Sequence, residues 1–134
     1  MDEHDVERRV AELTAWYGAN GPSGAQWRRV VAGPAGSALT LINFFKLRPG
    51  GMEAMMRYAA VSGPALERAG GRFLLTAPFE TTLIGEDEDW DLVAIGTYPD
   101  RAALLALFAD GAYRAAWADR AAAVARQRVL IAAG

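Results

Sequence analysis

The sequence predicts an α+β fold in which a four-stranded antiparallel sheet carries helices on one face. Four segments have the composition of strands, helical periodicity follows the first and the third of them, and glycine or proline residues mark most of the boundaries. At 134 residues the chain is long enough for one domain with a substantial core. A further helical segment precedes this domain, so we expect a chain of two parts.

The first part is a predicted helical extension over residues 1–37. Residues 3–18 have the periodicity of an amphipathic helix, and AQWRRVVAG predicts one or two further helical turns. The apolar positions of the first helix are Val6, Val10, Leu13, Trp16 and Tyr17. The breaker GPAGS at 33–37 predicts the boundary with the main domain, residues 38–134. The extension is expected to be either a lid over a pocket or an added dimer contact.

The main domain begins with a predicted strand, ALTLINFFKL, that is apolar on both faces. Alternation places Asn43 and Phe45 on one face and Lys46 on the other, without saying which face meets the helices. Residues 52–69 then predict a helix that Gly70 and Gly71 end. The residues expected to face inward from this helix are Met52, Met55, Met56, Ala59 and Leu66.

The second half of the domain predicts two strands, two helices and a last strand. GRFLLTAP and FETTLIG predict one strand with an irregularity at Pro78, and DLVAIGTY predicts the next. Asp100 is the expected N-cap of a helix that Asp110 and Gly111 separate from another, and RVLIAA predicts the last strand. The order β-α-β-β-α-β is that of a ferredoxin-like domain. The sheet face opposite the helices also has an apolar pattern, which predicts a homodimer.

The composition narrows the possible functions. A formal net charge of −2 argues against a nucleic-acid partner, and the chain has no cysteine and a single histidine, His4. A Ser-His-Asp triad and a metal site are therefore not expected. No secretory signal and no apolar stretch of about 18 residues are found, so we expect a cytoplasmic protein without a membrane span.

Several segments resemble one known superfamily. These segments are LINFFKLR, GGRF, WDLVAIGTYPDR and AYRAAWADRAA, which follow one another in the order and spacing of the dimeric α/β-barrel superfamily over residues 38–132. Among its families the chain looks most like a small domain of unknown function. The superfamily also contains cofactor-free antibiotic-biosynthesis monooxygenases, haem-degrading monooxygenases, muconolactone isomerases and chlorite-dismutase-like haem proteins. The resemblance implies the ferredoxin-like fold and a homodimer.

The resemblance also bears on the site. Haem degraders and some cofactor-free oxygenases have an asparagine on the first strand that faces the pocket, and Asn43 falls at that position. The haem degraders further need a histidine on the last helix and a tryptophan on the helix before it. The matching positions here are Asp119 and Leu107, so the resemblance does not extend to a haem ligand, and we expect no cofactor.

Asn43 is the strongest candidate site residue, and Arg120 and Tyr98 come second. An amide within the apolar run LINFF needs a partner, which is either the fold itself or the oxygen of a ligand. Arg120 lies in an apolar helical stripe with Tyr113, Trp117 and Val124. It is expected to form a buried ion pair with Asp91 or Glu67, and the alternative is an anionic substrate.

The remaining candidates are aromatic residues and one acid near the same segments. Tyr98 could donate to a substrate oxygen, and the residues proposed to bind substrate are Phe45, Trp90, Asp91, Tyr113 and Trp117. With so few titrating groups, the enzyme hypothesis is a cofactor-free monooxygenase, isomerase or cyclase of a small aromatic or hydrophobic molecule. The alternative is a non-catalytic homodimer, either ligand-binding or structural.

Overall fold

The computed structural model describes residues 2–18 and 20–134. The elements, in chain order, are α1 (Glu3–Tyr17), α2 (Gly24–Ala32), β1 (Leu39–Leu47), α3 (Met52–Arg68), β2 (Arg72–Pro78), β3 (Leu92–Tyr98), α4 (Arg101–Ala109), α5 (Gly111–Ala123) and β4 (Val124–Ala133). The four strands form one antiparallel sheet in the order β2-β3-β1-β4. This is the ferredoxin-like arrangement, and it confirms the fold predicted from the sequence.

The two faces of the sheet have different environments. On β1 the side chains of Leu41, Asn43 and Phe45 belong to the face that packs against the helices, where Leu41 and Phe45 join the main core. The opposite face carries an apolar row that crosses all four strands through paired residues. In strand order this row is Leu75, Ile95, Ile42 and Leu130. Its edge members Leu75 and Leu130 are 50% and 41% exposed in the single chain.

The hydrophobic core has two parts that meet at the aromatic residues of α1. The larger lies between the sheet and helices α3, α4 and α5. The smaller joins α1 to α2 through Val6, Leu13, Trp27 and Val31, and Phe108 of α4 packs against it. Trp16 packs against both parts. The extension is therefore docked on the main domain by apolar burial.

The structure corrects the inward face predicted for α3. Met52 and Met56 are 47% and 66% exposed, and Ala59 is exposed as well, whereas Met55 and Leu66 are buried as expected. The buried stripe instead contains small residues with one phenol, and its further members are Ala54, Tyr58, Ser62 and Ala65. Small side chains allow α3 to approach α5 closely, and this close contact determines which face is buried.

The predicted continuation of β2 through FETTLIG is wrong. Pairing with β3 ends at Pro78, and only Phe79 donates one further backbone hydrogen bond, to the carbonyl of Asp91. Residues 80–90 form an irregular loop whose tip carries Leu83 and Ile84, 91% and 88% exposed. Proline cannot donate to a sheet ladder, so the strand has a physical reason to end there.

Asp110, the N-cap residue of α5, is expected to stabilise the fold. The Asp110 carboxylate accepts a hydrogen bond from the Tyr113 N–H at 3.0 Å and pairs with Arg68 at 3.1 Å. We expect Asp110→Ala to lower the free energy of unfolding by about 1 kcal/mol at neutral pH, because an N-cap carboxylate stabilises a helix by roughly this amount. Chemical denaturation measures this loss. Asp100→Ala removes a cap from α4 and serves as the matched control.

The same carboxylate predicts a pH dependence. The Tyr113 N–H, and then Arg68, hold the pKa of Asp110 below its ordinary value of 3.8, although burial acts in the opposite direction. A pKa lowered in the folded state contributes stability above the unfolded-state pKa, and that contribution is lost as the pH falls through the folded-state pKa. The stability difference between wild type and Asp110→Ala should therefore shrink below about pH 4. A difference that stays constant down to pH 2 would contradict this account.

Candidate functional site

A cavity of about 850 Å³ lies between the helix-covered face of the sheet and the helices. Its floor includes Leu41, Asn43 and Phe45 of β1, and its walls include residues of α3, α4 and α5. The extension also contributes, through Tyr17, residues 20–22 and Trp27. Most of the lining is apolar, as in pockets for small organic molecules. The cavity brings together five of the predicted site residues, which are Asn43, Phe45, Tyr98, Tyr113 and Arg120.

Arg120 of α5 is the charged centre of this cavity, and only 6% of it is exposed. Its Nε and Nη2 atoms donate to Gln127 Oε1 at 3.3 and 2.8 Å, and Nη1 donates to the Tyr58 hydroxyl at 2.9 Å. The Tyr58 and Tyr113 hydroxyls are 2.8 Å apart and share a further hydrogen bond. We call Tyr58, Tyr113, Arg120 and Gln127 the Arg120 cluster.

The buried ion pair expected for Arg120 is wrong. Within residues 2–18 and 20–134, no carboxylate oxygen lies within 4.0 Å of its guanidinium. Asp91 instead accepts a hydrogen bond from the Leu47 N–H at 2.7 Å and lies 3.6 Å from Lys46, while Glu67 is exposed. The positive charge is thus buried without a carboxylate partner among the described residues, and the groups that contact it are neutral hydrogen-bond acceptors and the aromatic rings of Phe45, Tyr58 and Trp117.

The Arg120 cluster offers more hydrogen-bond donors than acceptors. A guanidinium has five N–H groups, and three of those of Arg120 have partners. Tyr58 and Tyr113 together have two phenolic protons, of which their mutual hydrogen bond uses one. The other phenolic proton has no acceptor among the described residues. Unused donors beside a buried cation form a suitable environment for an anionic oxygen.

Burial keeps the neighbouring phenols protonated. It raises the pKa of Tyr98, Tyr113 and Tyr17 above the ordinary value of tyrosine, and Arg120 only partly offsets this effect. Burial acts to lower the pKa of Arg120, but the surrounding phenols, Tyr58 first, more than reverse this effect. At neutral pH the site therefore presents a guanidinium cation and phenol donors, and none of these groups can act as a base.

Asn43 is only partly satisfied by the fold. Its Nδ2 donates to the carbonyl of Ala94 at 3.0 Å, which anchors the amide to the neighbouring strand. Its Oδ1 accepts no hydrogen bond from the described residues, and the side chain lines the cavity. The amide in LINFF is thus fastened at one end and open to the cavity at the other. The hydroxyl of Tyr98, which also lines the cavity, has no hydrogen-bond partner in the described part of the chain.

The structure places three other predicted residues outside this cavity. Trp90 lies beside Phe44, whose side chain is on the opposite face of the sheet, and it donates to Glu88. Asp91 immediately precedes β3, and its carboxylate accepts a hydrogen bond from the Leu47 N–H. Trp117 does not line this cavity, but the centre of its ring lies 4.6 Å from the guanidinium carbon of Arg120. It lines a second cavity of about 520 Å³.

Two members of the Arg120 cluster were not predicted from the sequence. Tyr58 lies four residues after Ala54 and four before Ser62, on one face of α3. A large polar residue at this helical spacing among small residues was the signal that could have identified it. Gln127 pairs with Phe45 across the sheet and therefore shares the face of Asn43, a relation that only the strand register reveals. Gln127 also donates to the carbonyl of Asn20 at 3.2 Å, which links the cluster to the extension.

The described residues contain no group of three or more histidine, cysteine, aspartate or glutamate side chains placed to hold a metal ion. Among the helices of the described segments, none combines the length and apolar character that crossing a bilayer requires.

This chain is similar to solved structures of proteins that are described as uncharacterised or of unknown function. RPA0582, a protein of unknown function from Rhodopseudomonas palustris, is 33% identical, with a TM-score of 0.75 over 86% of this chain and 95% of that one. A dimeric ferredoxin-like protein of unknown function from Thermobifida fusca is 18% identical, with a TM-score of 0.52 over 74% and 92%. An uncharacterised NIPSNAP-like domain protein from Burkholderia xenovorans is 20% identical, with a TM-score of 0.51 over 70% and 82%. The last two likenesses concern the fold alone.

No curated protein matches the chain significantly. Residues 40–134 match the family described as a domain of unknown function, DUF1330. The likeness to RPA0582 covers more of the chain than these residues do, so it reaches into the N-terminal segment. Since the family match spans well over half of the 134 residues, the chain belongs to the DUF1330 family.

Proposed function

We propose that the cavity binds a small hydrophobic or aromatic molecule that carries an anionic group, and that Arg120 binds this group. The observation that supports the proposal is the buried guanidinium of Arg120, which has no carboxylate partner among the described residues. A cation buried in this way is costly to the fold, and an anionic ligand would offset that cost.

The charge and size of the cavity support the same class of ligand. Arg120 is the buried charged residue of its lining; Arg29 is exposed, Arg128 pairs with Glu88 at 2.7 Å, and within the described chain no aspartate, glutamate or histidine lines the cavity. The volume of about 850 Å³ is within the range for small organic ligands. Apolar side chains such as Leu41, Met55 and Leu107 would cover the body of the molecule. An acid with a hydrophobic body matches both features.

We propose further that the protein is an enzyme whose substrate forms its own carbanion or enolate. The phenols lining the cavity are donors at neutral pH, and Asn43 retains one N–H beyond the one it gives to Ala94. Such donors can stabilise an oxyanion, but they cannot remove a proton from an unactivated carbon. Cofactor-free oxygenation, isomerisation or cyclisation would use the site in this way, with Asn43, Tyr98 and Arg120 as the catalytic candidates.

The alternative is a binding protein without catalysis. The absence of a neutral-range base from the described lining is equally compatible with a carrier or sensor of hydrophobic acids. Oxygen uptake and absorbance changes, measured with a set of enolisable aromatic acids, separate the two. Turnover that Tyr98→Phe reduces by about 10²-fold would support an enzyme, since one oxyanion donor accounts for this much. Binding without turnover across the set would support the alternative.

We propose that the opposite sheet face forms a homodimer. The apolar row Leu75, Ile95, Ile42 and Leu130 crosses the whole sheet, and Leu83 and Ile84 project from the loop beside it. Exposed apolar surface of this extent is typical of protein interfaces. The Thermobifida fusca relative is described as dimeric, which supports the same arrangement here. A dimer through this face would leave the cavity on the helical side of each protomer.

Ligand binding provides the test of the Arg120 proposal. We expect 1-naphthoate to quench the tryptophan fluorescence of the protein and to bind at least ten-fold more tightly than neutral 1-naphthamide, because hydrogen bonds to a charged group are worth roughly 1.5–3 kcal/mol. Arg120→Met should abolish this preference. Arg57→Met removes an exposed arginine that bonds Asp119 and should preserve it. Equal affinity of the wild-type protein for the acid and the amide would exclude Arg120 as an anion site.

The same variant tests whether Arg120 is kept for function at the expense of stability. We expect Arg120→Met to leave the free energy of unfolding unchanged or to raise it by about 1–4 kcal/mol, because an apolar side chain of similar length avoids the desolvation cost. Tyr58 would retain its bond to Tyr113, and the half-buried Gln127 can bond to water. Urea denaturation at neutral pH measures the change. A loss of 3 kcal/mol or more would instead identify Arg120 as a structural residue.

The dimer proposal predicts a change in molecular mass. The wild-type protein should have the mass of two 14.4 kDa chains in light scattering at micromolar concentration, and Leu75→Lys should have the mass of one. A charge in the apolar row would remain desolvated in the interface, which is strongly unfavourable. Met56→Lys adds the same charge at an exposed position of α3 and should remain dimeric. A monomeric wild-type protein would refute the proposal.

A further inference from the structure

We infer that Gln127 determines the charge selectivity of the cavity, because its carboxamide accepts hydrogen bonds from Arg120 without neutralising the guanidinium. This inference rests on the proposed function, and it assigns the selectivity for acids to a residue other than the one that binds the anion. It implies that a single change of atom at residue 127, from amide nitrogen to carboxylate oxygen, would close the site to anionic ligands.

The first step is the way in which Gln127 contacts Arg120. Its Oε1 accepts from Nε at 3.3 Å and from Nη2 at 2.8 Å, so one oxygen takes two N–H groups of the guanidinium. Tyr58 accepts one N–H of Nη1. Since Nη1 and Nη2 each carry two N–H groups, one on each terminal nitrogen has no partner among the described residues. These two donors remain for the oxygens of a ligand.

The second step is the orientation of the Gln127 amide. Its Nε2 donates to the carbonyl of Asn20 at 3.2 Å, while its Oε1 faces the donors of Arg120. Both ends agree with the same orientation, because the reversed amide would place N–H groups against the guanidinium and an oxygen against a carbonyl. Gln127 therefore acts on Arg120 as an acceptor that carries no charge.

The third step is the comparison with a glutamate at residue 127. Glutamate has the length and shape of glutamine, so its carboxylate could accept the same two N–H groups of Arg120. A buried arginine is usually paired with an acid, since the attraction between opposite charges adds to the hydrogen bonds. Such a pair has no net charge to attract an anion. The neutral carboxamide interacts more weakly with Arg120, and it leaves the positive charge available to a ligand.

The bond to Asn20 provides a competing explanation, in which residue 127 is a glutamine only because its N–H is needed there. The two explanations differ in what a carboxylate would do. If only the N–H matters, any residue without it weakens the contact with the extension, and the charge of the ligand makes no difference. If the missing charge matters, a carboxylate removes the preference for acids, and an apolar residue does not.

The test measures the affinities for 1-naphthoate and 1-naphthamide at pH 7 by isothermal titration calorimetry. Gln127→Glu adds a charge and Gln127→Met adds none, whereas both lose the bond to Asn20, so the difference between them reports the charge. The preference for the acid should fall from about ten-fold or more in the wild type to about one in Gln127→Glu. Gln127→Met should keep the wild-type preference. Binding of the amide shows that each variant has formed its cavity.

Urea denaturation gives a second measurement that needs no ligand. Gln127→Glu should have a higher urea midpoint than Gln127→Met, because only the glutamate forms an ion pair with Arg120. In the background of Arg120→Met the order should reverse, since the half-buried carboxylate then has no cationic partner. Equal midpoints in both backgrounds would show that only the bond to Asn20 matters, and would overturn the inference.

The binding outcomes distinguish this inference from the proposal beneath it. If the wild type prefers the acid and Gln127→Glu does so equally, the inference is overturned and the proposed anion site remains. If Gln127→Met loses the preference, anion binding needs the carboxamide itself, and the inference is again overturned, even where Gln127→Glu fails to bind the amide. If the wild type binds the acid no better than the amide, the proposed function fails, and this inference fails with it.

Discussion

The guanidinium of Arg120 lies where the elements that form the cavity meet. From α5 it reaches Tyr58 on α3, Gln127 on β4 and the ring of Phe45 on β1, so one side chain contacts three other elements. Those partners are neutral, and hydrogen bonds to neutral groups only partly replace the hydration of a cation. Because no carboxylate of the described residues neutralises the charge, the arrangement supports the proposal of an anionic ligand.

The N-terminal extension is connected to this charge through Gln127. One end of the Gln127 amide accepts two hydrogen bonds from Arg120, and the other donates to the carbonyl of Asn20. An anion that withdraws Arg120 from Gln127 would also change the contact that holds the segment after α1. Trp27 of α2 lines the same cavity, and its buried Nε1 has no acceptor among the described residues. Both features favour the interpretation of the extension as a lid over the cavity.

The sequence predicted the sheet well because strand patterns are local. The run LINFF, the breakers around it, the cap at Asp100 and the break at Asp110 and Gly111 depend on residues that are close in the chain. The inward face of α3 was mispredicted because several apolar stripes fit its periodicity, and only the close contact with α5 selects one. Gln127 could not be identified as a partner of Arg120 for a similar reason, since strand register is a tertiary property.

The alternation of β1 assigns the two proposed tasks, ligand binding and dimerisation, to different faces of one sheet. Residues 41, 43 and 45 face the cavity, whereas residues 42 and 44 belong to the apolar face proposed for dimerisation. Residues 43 and 42 can therefore be substituted to test the two proposals separately, whereas Leu130 of the apolar row also lines the cavity. The apolar character of both faces made the run LINFF difficult to orient from the sequence, and it agrees with the proposed double use. Asn43, the polar position in the run, lies on the face that lines the cavity, where its Nδ2 donates to the carbonyl of Ala94 and its Oδ1 has no partner among the described residues.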